Sequence, residues 1–322
     1  MSDHLNKKVL LVGAGQMAVD YYKVLKALGT DVTVIGRSES SAAAFQEKAG
    51  LKIITGGLEN FLLTNKIAFE AAIVAVGMEE LAPTTLSLLK NGFRNILVEK
   101  PGGLNTSEIN EVALVANQVQ AKVYVAYNRR FFASVLKAKE IIAKDGGITS
   151  FNFEFTEWSH TIEPLVKKPG VKENWLLANS SHVIDLAFFV GGKPSAINCY
   201  TAGKLSWHDK AVFSGAGKTE NEVLFSYQAN WAAPGRWGVE FLTANSRLIL
   251  RPLEDLHIQL KGSVAINKIE LDQSDEKQFK PGLYLQTSCF LSGDTVDFKT
   301  IQEQGEMAQI YGKMGRGDYF QK

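Results

Sequence analysis

An apolar run, Lys8-Val9-Leu10-Leu11-Val12, leads directly into Gly13-Ala14-Gly15-Gln16-Met17-Ala18. The run does not alternate, as befits a strand covered on both faces. After it, Met17, Tyr21, Val24, Leu25 and Leu28 recur at helical spacing, and Gly29 closes the segment. A G-x-G-x-x-A turn set between a strand and a helix leaves few architectures open. The first glycine permits the tight turn, the second admits a close neighbour, and the alanine lets the helix sit on the sheet. Unpaired N–H groups in the helix's first turn suit a pyrophosphate. The pattern predicts dinucleotide binding through Gly13, Gly15, Gln16 and Met17.

The alternation continues. Asp31 to Ile35 reads as a second strand, followed by an Ala-rich helix ending at Gly50. Lys52 to Ile54 reads as a short strand, Ala71 to Val76 as a strong one, and Pro83 to Lys90 as a helix. Asn95 to Val98 and Lys122 to Ala126 are further strands, with a helix between them capped by Asn105 or Thr106. This is the signature of a Rossmann doubly wound parallel sheet. Phe131 to Lys144 reads as a helix. Past Gly146-Gly147 the pattern changes to alternating β segments. Phe151, Phe153 and Phe155 fall on one face, and further strands are expected over Glu222 to Asn230, Trp237 to Thr243, Arg247 to Leu250 and Leu256 to Leu260. Asn179 to Val190 reads as a helix. The fold class is therefore α/β: a Rossmann domain over 1–125, then an α+β domain over 126–322 with a large, mostly antiparallel open sheet. The second domain is expected to bind substrate and to oligomerise. If both sheet faces are apolar, too few helices follow to cover them, which predicts a homodimer or homotetramer.

Composition narrows the partners. The chain has 322 residues, 45% hydrophobic and 21% charged, with a formal net charge of +1. No long basic run points to nucleic acid or an anionic membrane. Cys199 and Cys289 lack CxxC spacing, and His4, His160, His208 and His257 lack metal-ligand spacing, so no metal is expected. Met1 to Asn6 is polar, without the apolar core of a signal peptide, and no apolar run is long enough to span a bilayer. A cytoplasmic protein is expected.

Two further features bear on chemistry. The second strand ends in Gly36-Arg37-Ser38, where an NAD-binding sheet usually carries an acid. Arg37 can pair with a 2′-phosphate and Ser38 can hydrogen-bond it, which predicts NADP(H) in preference to NAD(H). Glu99-Lys100-Pro101-Gly102-Gly103 lies at the carboxyl edge of a predicted strand, where open α/β sheets bind ligands. A lysine there either stabilises a developing alkoxide or is a loop lysine in solvent; position alone leaves both open.

Four motifs together resemble the glucose–fructose oxidoreductase and inositol dehydrogenase family, Gfo/Idh/MocA. They are G-A-G-Q-M-A near the start, V-E-K-P at 98–101, A-Y-N-R-R-F at 126–131 and S-H-V-I-D-L-A-F-F-V-G-G at 181–192. The resemblance implies hydride transfer between a nicotinamide and the alcohol or ketone of a sugar, sugar nucleotide or cyclitol. It implies that Lys100 meets the nicotinamide ribose and the reacting oxygen, often across a cis Lys-Pro bond, with Glu99, Pro101 and Asn128 also beside the cofactor. It implies His182 as acid/base, with Asp185 orienting the helix or the imidazole. Arg129 and Arg130 are expected to face the cleft. Arg129 and Asn179 join the substrate residues with Lys100 and His182. Trp158 and His160 line the substrate site, or belong to an interface or the core. Two positions depart from the family. Ala178 stands where inositol-type members often have Asp. Val76-Gly77-Met78-Glu79-Glu80-Leu81 replaces the usual Thr-Pro-x-x-x-His, with Val76 and Gly77 taken as cofactor contacts. A cofactor-binding regulator of the same fold and an imine reductase are the alternatives.

Overall fold

The computed structural model describes residues 6–65 and 67–321. The polar opening therefore lies outside the described residues, except for Asn6. In chain order the elements begin β1 (Lys8–Val12), α1 (Gln16–Ala27), β2 (Asp31–Ile35), α2 (Glu39–Ala49), α3 (Gly57–Thr64), β3 (Ala71–Val74), α4 (Met78–Lys90), β4 (Asn95–Glu99), α5 (Thr106–Gln118) and β5 (Lys122–Ala126). Next come α6 (Ala133–Lys144), β6 (Ser150–Glu154), α7 (Ser159–Ile162), α8 (Ser181–Gly191), β7 (Pro194–Ala202), β8 (Val212–Thr219), β9 (Leu224–Asn230), β10 (Gly238–Leu242), β11 (Ser246–Leu250), β12 (His257–Leu260) and β13 (Ile266–Lys268). The remainder is α9 (Ser274–Gln278), α10 (Leu283–Ser292), β14 (Lys299–Thr300), α11 (Ile301–Arg316) and β15 (Tyr319–Gln321). Among the described residues no helix is long and apolar enough to cross a membrane. They form two compact units: residues to 128 with 275–306, and residues 129–274 with those from 307 on.

The first unit holds a six-stranded sheet in the order β14-β5-β4-β3-β1-β2, parallel except for β14. Its apolar runs are buried as expected, with Val9, Leu10 and Leu11 fully enclosed. Register places Val12 opposite both Ile35 and Val74, so β1, β2 and β3 finish level at the carboxyl edge. The expected strand at Lys52 to Ile54 is reduced to a single bridge between Ile54 and Ile35. Asn105 caps α5 by accepting from the Glu108 N–H at 3.0 Å, and the Glu108 carboxylate accepts from the Leu104 N–H at 2.8 Å. A division at residue 125 does not anticipate the return of residues 275–306. That segment adds β14 along β5, which would otherwise be an open edge. It also packs Phe298 against Tyr124 at 5.4 Å between ring centroids.

The second unit holds a nine-stranded sheet in the order β13-β12-β11-β10-β6-β9-β8-β7-β15, antiparallel except where β6 meets β9. Phe151, Phe153 and Phe155 share one face with Phe225, Tyr227 and Phe241. Helix α8 covers that face: Phe188 lies 5.0 Å from Phe225, and a Cβ on Gly191 would sit 2.4 Å from the Phe151 ring. The opposite face carries Asn152, Glu154, Ser214, Ser226 and Gln228, each exposed or half-buried. The premise of two apolar faces is thus corrected: alternation puts most of the aromatics on the covered side, and the open face carries the exposed Tyr200 among polar residues. Two helices also differ from expectation. A 3₁₀ turn, Asn128–Phe131, precedes α6, and a π-helical turn, Leu176–Ser180, precedes α8.

Candidate active site

In the first unit the carboxyl edge of β1 to β3 forms a groove of about 780 Å³, within the size range of small-molecule sites. Gly13 makes the groove possible. Its φ is +130°, and a Cβ there would lie 2.2 Å from the Ala75 carbonyl oxygen. Gly15 is the N-cap of α1 and provides no side-chain cap, and a Cβ there would meet nothing within 4 Å. The space beside it is open, and no acidic side chain occupies the first turn of α1. Ala18 is fully buried, which seats the helix on the sheet. These features fit a pyrophosphate at a helix N-terminus. Gln16, Met17, Arg37, Ser38, Val76 and Gly77 line the same groove.

Arg37 is largely exposed, and its Nη1 lies 3.2 Å from Glu80 Oε1. The Ser38 hydroxyl caps α2, accepting from the Ser41 N–H at 3.3 Å. Ser41 also lines the groove, as does the segment 56–60, which sequence reasoning did not mark.

Glu99, Lys100, Pro101 and Asn128 do not line that groove; they gather around the end of β4. The Lys100–Pro101 bond is cis. The Pro101 carbonyl accepts from Gln304 Nε2 at 3.1 Å, and Asn128 Nδ2 donates to the Pro281 carbonyl at 2.9 Å. Lys100 is half-buried. Tyr21 donates its hydroxyl to Glu99 Oε1 at 2.8 Å. Burial pushes the Glu99 carboxyl up from its ordinary range, against the Tyr21 hydrogen bond and the charges of Lys100 and Lys280. The Tyr21 phenol is raised by burial and by Glu99. Lys280, whose Nζ lies 2.8 Å from Met17 Sδ, joins the glycine turn to this carboxylate. It was missed because it enters from the returning segment.

The second unit assembles its own constellation. His182 is 7% exposed on α8, its ring 6.0 Å from that of Trp237. Arg129 lies over Trp237 at 4.9 Å. Trp158 is exposed, and its Nε1 donates to the Gly235 carbonyl at 2.8 Å. Asn179 points its amide at Glu157, donating to Oε1 and Oε2 at 3.0 Å each. Ser180 Oγ adds a bond to Glu157 Oε1 at 2.7 Å. Glu157 is 2% exposed, and burial raises its pKa against those hydrogen bonds and the charge of Arg236. These bonds hold the π-helical turn that leads into His182. Such turns often occur at functional sites. Arg130 does not face a cleft. It is buried and binds Asp185 through Nε and Nη2 at 2.7 and 2.8 Å, stacked on Phe189. Both Asp185 oxygens thus receive a guanidinium N–H. His160 stacks on Trp158 at 6.4 Å. His4 lies outside the described residues, and among those described no group of three His, Cys, Asp or Glu could hold a metal.

Residues 7–127 match a family described as "Oxidoreductase family, NAD-binding Rossmann fold", Gfo/Idh/MocA. The likeness to this oxidoreductase family thus covers the Rossmann sheet with its glycine turn. Of curated relatives, trans-1,2-dihydrobenzene-1,2-diol dehydrogenase of Mus musculus is 27% identical over 42% of this chain and 40% of its own. UDP-N-acetylmuramoylalanine–D-glutamate ligase of Ligilactobacillus salivarius is 28% identical over 56% of this chain and 45% of its own. The chain thus spans less than half the length of these curated relatives. Among solved structures, levoglucosan dehydrogenase in complex with NADH and L-sorbose superposes with a TM-score of 0.79. Its sequence identity is 15%, and the match covers 98% of both chains. The two-sheet architecture is therefore shared along nearly the whole chain.

Proposed function

We propose that this chain is a Gfo/Idh/MocA-type, NADP(H)-preferring dehydrogenase or reductase acting on the alcohol or ketone of a carbohydrate-like molecule. The observation that carries the reading is the glycine groove, with open space at Gly15 and an arginine instead of an acid at the end of β2. The dinucleotide would be held by the first turn of α1, by Arg37 and Ser38 at its 2′-phosphate, and by Val76 and Gly77. A bound nicotinamide supplies or accepts the hydride. The names of the relatives, a dihydrodiol dehydrogenase and a levoglucosan dehydrogenase, support a polyhydroxylated substrate.

Lys100 stabilises negative charge on the reacting oxygen, and His182 carries the proton. The ammonium helps most as the charge develops, so its effect falls on the transition state. Imidazole titrates near neutrality in its unperturbed form and so suits proton exchange with a hydroxyl. Glu99 and Glu157 are spent on the residues that surround these two groups. The proposed setting is the cytoplasm, with a homodimer or homotetramer formed on the open, polar face of the second sheet; light scattering giving a monomer at micromolar concentration refutes the assembly.

The test is fluorescence titration with NADPH and NADH, then turnover on sugars, sugar nucleotides, cyclitols and imines. Tighter NADPH binding with turnover on a hydroxyl or ketone substrate is expected. Cofactor binding with no turnover anywhere would favour a regulator, and turnover on imines alone an imine reductase.

A further inference from the structure

We infer that the cluster around Trp237 in the second unit binds an oxyanion, a carboxylate or phosphate carried by the substrate. The inference rests on the oxidoreductase reading and names the substrate's chemical class.

Arg236 is exposed, with Cζ 4.8 Å from the Trp158 ring and 4.8 Å from the Trp237 ring. Two indoles thus fix one guanidinium. Stacking uses the faces of the guanidinium and leaves its in-plane N–H donors for other acceptors. Among the described residues Arg236 makes no ion pair. The Glu157 carboxylate feels its charge, but takes its hydrogen bonds from Asn179 and Ser180. Arg129 brings a second guanidinium to the same indole, 4.9 Å from Trp237.

A separate observation points the same way. Trp237 is 4% exposed, and its buried Nε1 has no acceptor among the described residues. Buried donors left without a partner are uncommon and costly. The cluster therefore combines cationic donors with an unsatisfied neutral one, a set that calls for an acceptor-rich, negatively charged group. Planar carboxylate and phosphate oxygens match an arginine edge.

The cluster is held in place. Trp158 is tied to the Gly235 carbonyl at 2.8 Å. A Cβ on Gly235 would lie 2.5 Å from Glu154 Oε1, so the loop bearing Arg236 sits tightly on the sheet. The His182 ring, 6.0 Å from Trp237, places the proposed proton carrier within reach of the same small molecule.

The test is calorimetric titration of the NADPH-loaded protein at low ionic strength. The probes are aldonates and uronates, sugar phosphates, and the neutral parent of each. At least one anionic member should bind tenfold or more tighter than its parent, and added salt should weaken it. Arg236→Gln and Arg129→Gln should each remove that preference while leaving NADPH affinity within twofold. The carboxylate and phosphate arms tell which oxyanion is meant. Neutral parents binding as well, variants keeping the preference, or no anion binding at all would each overturn the inference. Turnover of neutral sugars with no anion preference sinks this inference alone. Arginine-dependent anion binding with no turnover sinks the oxidoreductase reading alone.

Discussion

Each unit draws a carboxylate out of water beside a residue assigned a chemical role, and the two are compensated differently. Glu99 is half-buried next to Lys100, and its compensation includes two cations, Lys100 and Lys280, besides the Tyr21 hydroxyl. Glu157 is almost fully buried and is compensated chiefly by the neutral donors Asn179 and Ser180. Burial raises both carboxyls. The difference is what each one does for its neighbour. Glu99 shares an electrostatic environment with the lysine proposed to meet the reacting oxygen. Glu157 fixes the backbone turn from which a histidine projects.

The largest effect expected from breaking this comparison is on turnover. Lys100→Met removes the charge and keeps an unbranched stem. It should lower kcat by about a hundred- to a thousandfold, the usual loss for one oxyanion donor. NADPH affinity should fall only modestly. His182→Asn should lower kcat by about a hundredfold or more and flatten the pH profile near neutrality, with cofactor binding unchanged. An unchanged kcat and pH profile in His182→Asn would make His182 a core residue.

Next in size is stability. Glu157→Ala strands the Asn179 and Ser180 donors and should cost about 1–3 kcal/mol in urea unfolding. Glu157→Gln keeps an acceptor and should cost less. The folded pKa of Glu157 is raised, so its contribution is fully present below the ordinary carboxylate range and is lost as pH rises through the raised value. Wild type should show that loss and the Gln variant should not. Parallel pH profiles for the two would show that Glu157 is not the titrating group.

Arg37→Ala should weaken NADPH by about 1–3 kcal/mol and leave NADH nearly unaffected. An equal loss for both cofactors would remove the 2′-phosphate contact. The smallest effect belongs to an exposed carboxylate. Glu140 is lowered to about 2 by hydrogen bonds from Lys137 and Lys144 and by their charges. Whatever it contributes is present above the ordinary carboxylate range and lost as pH falls towards that value. Because solvent screens the pair, Glu140→Gln should leave the thermal midpoint at neutral pH unmoved within error. A clear drop would show that surface pairs matter here as buried ones do.

The two carboxylates also differ in how far the sequence announces them. Glu99 sits in a local motif, between a strand and a cis Lys–Pro turn, and local patterns are what a sequence displays. The same holds for Gly13, Gly15, Arg37 and the parallel strands. Glu157 becomes visible only when β6 is brought against the turn before α8, a contact 22 residues apart in the chain for Asn179. Lys280 meets Met17 from 263 residues away. Arg130 looked like a cleft residue because it follows β5, yet its partner Asp185 lies on another element altogether. The π-helical turn left no periodic trace, since the apolar spacing of α8 runs straight through it. Alternation located the sheet's aromatics but could not show that the face of Phe151 and Phe153 is the one α8 covers.

The return of residues 275–306 to the first unit has a consequence for synthesis. A chain emerging from the ribosome commonly completes its leading domain first. Here β1 to β5 can form early, but β14 and α10 are still to come, and the edge of β5 stays bare until they arrive. The second unit waits too, because β15 pairs with β7. Nascent chains halted before residue 299 should therefore hold a nucleotide groove with an unprotected strand, a natural client for chaperones that bind exposed β edges.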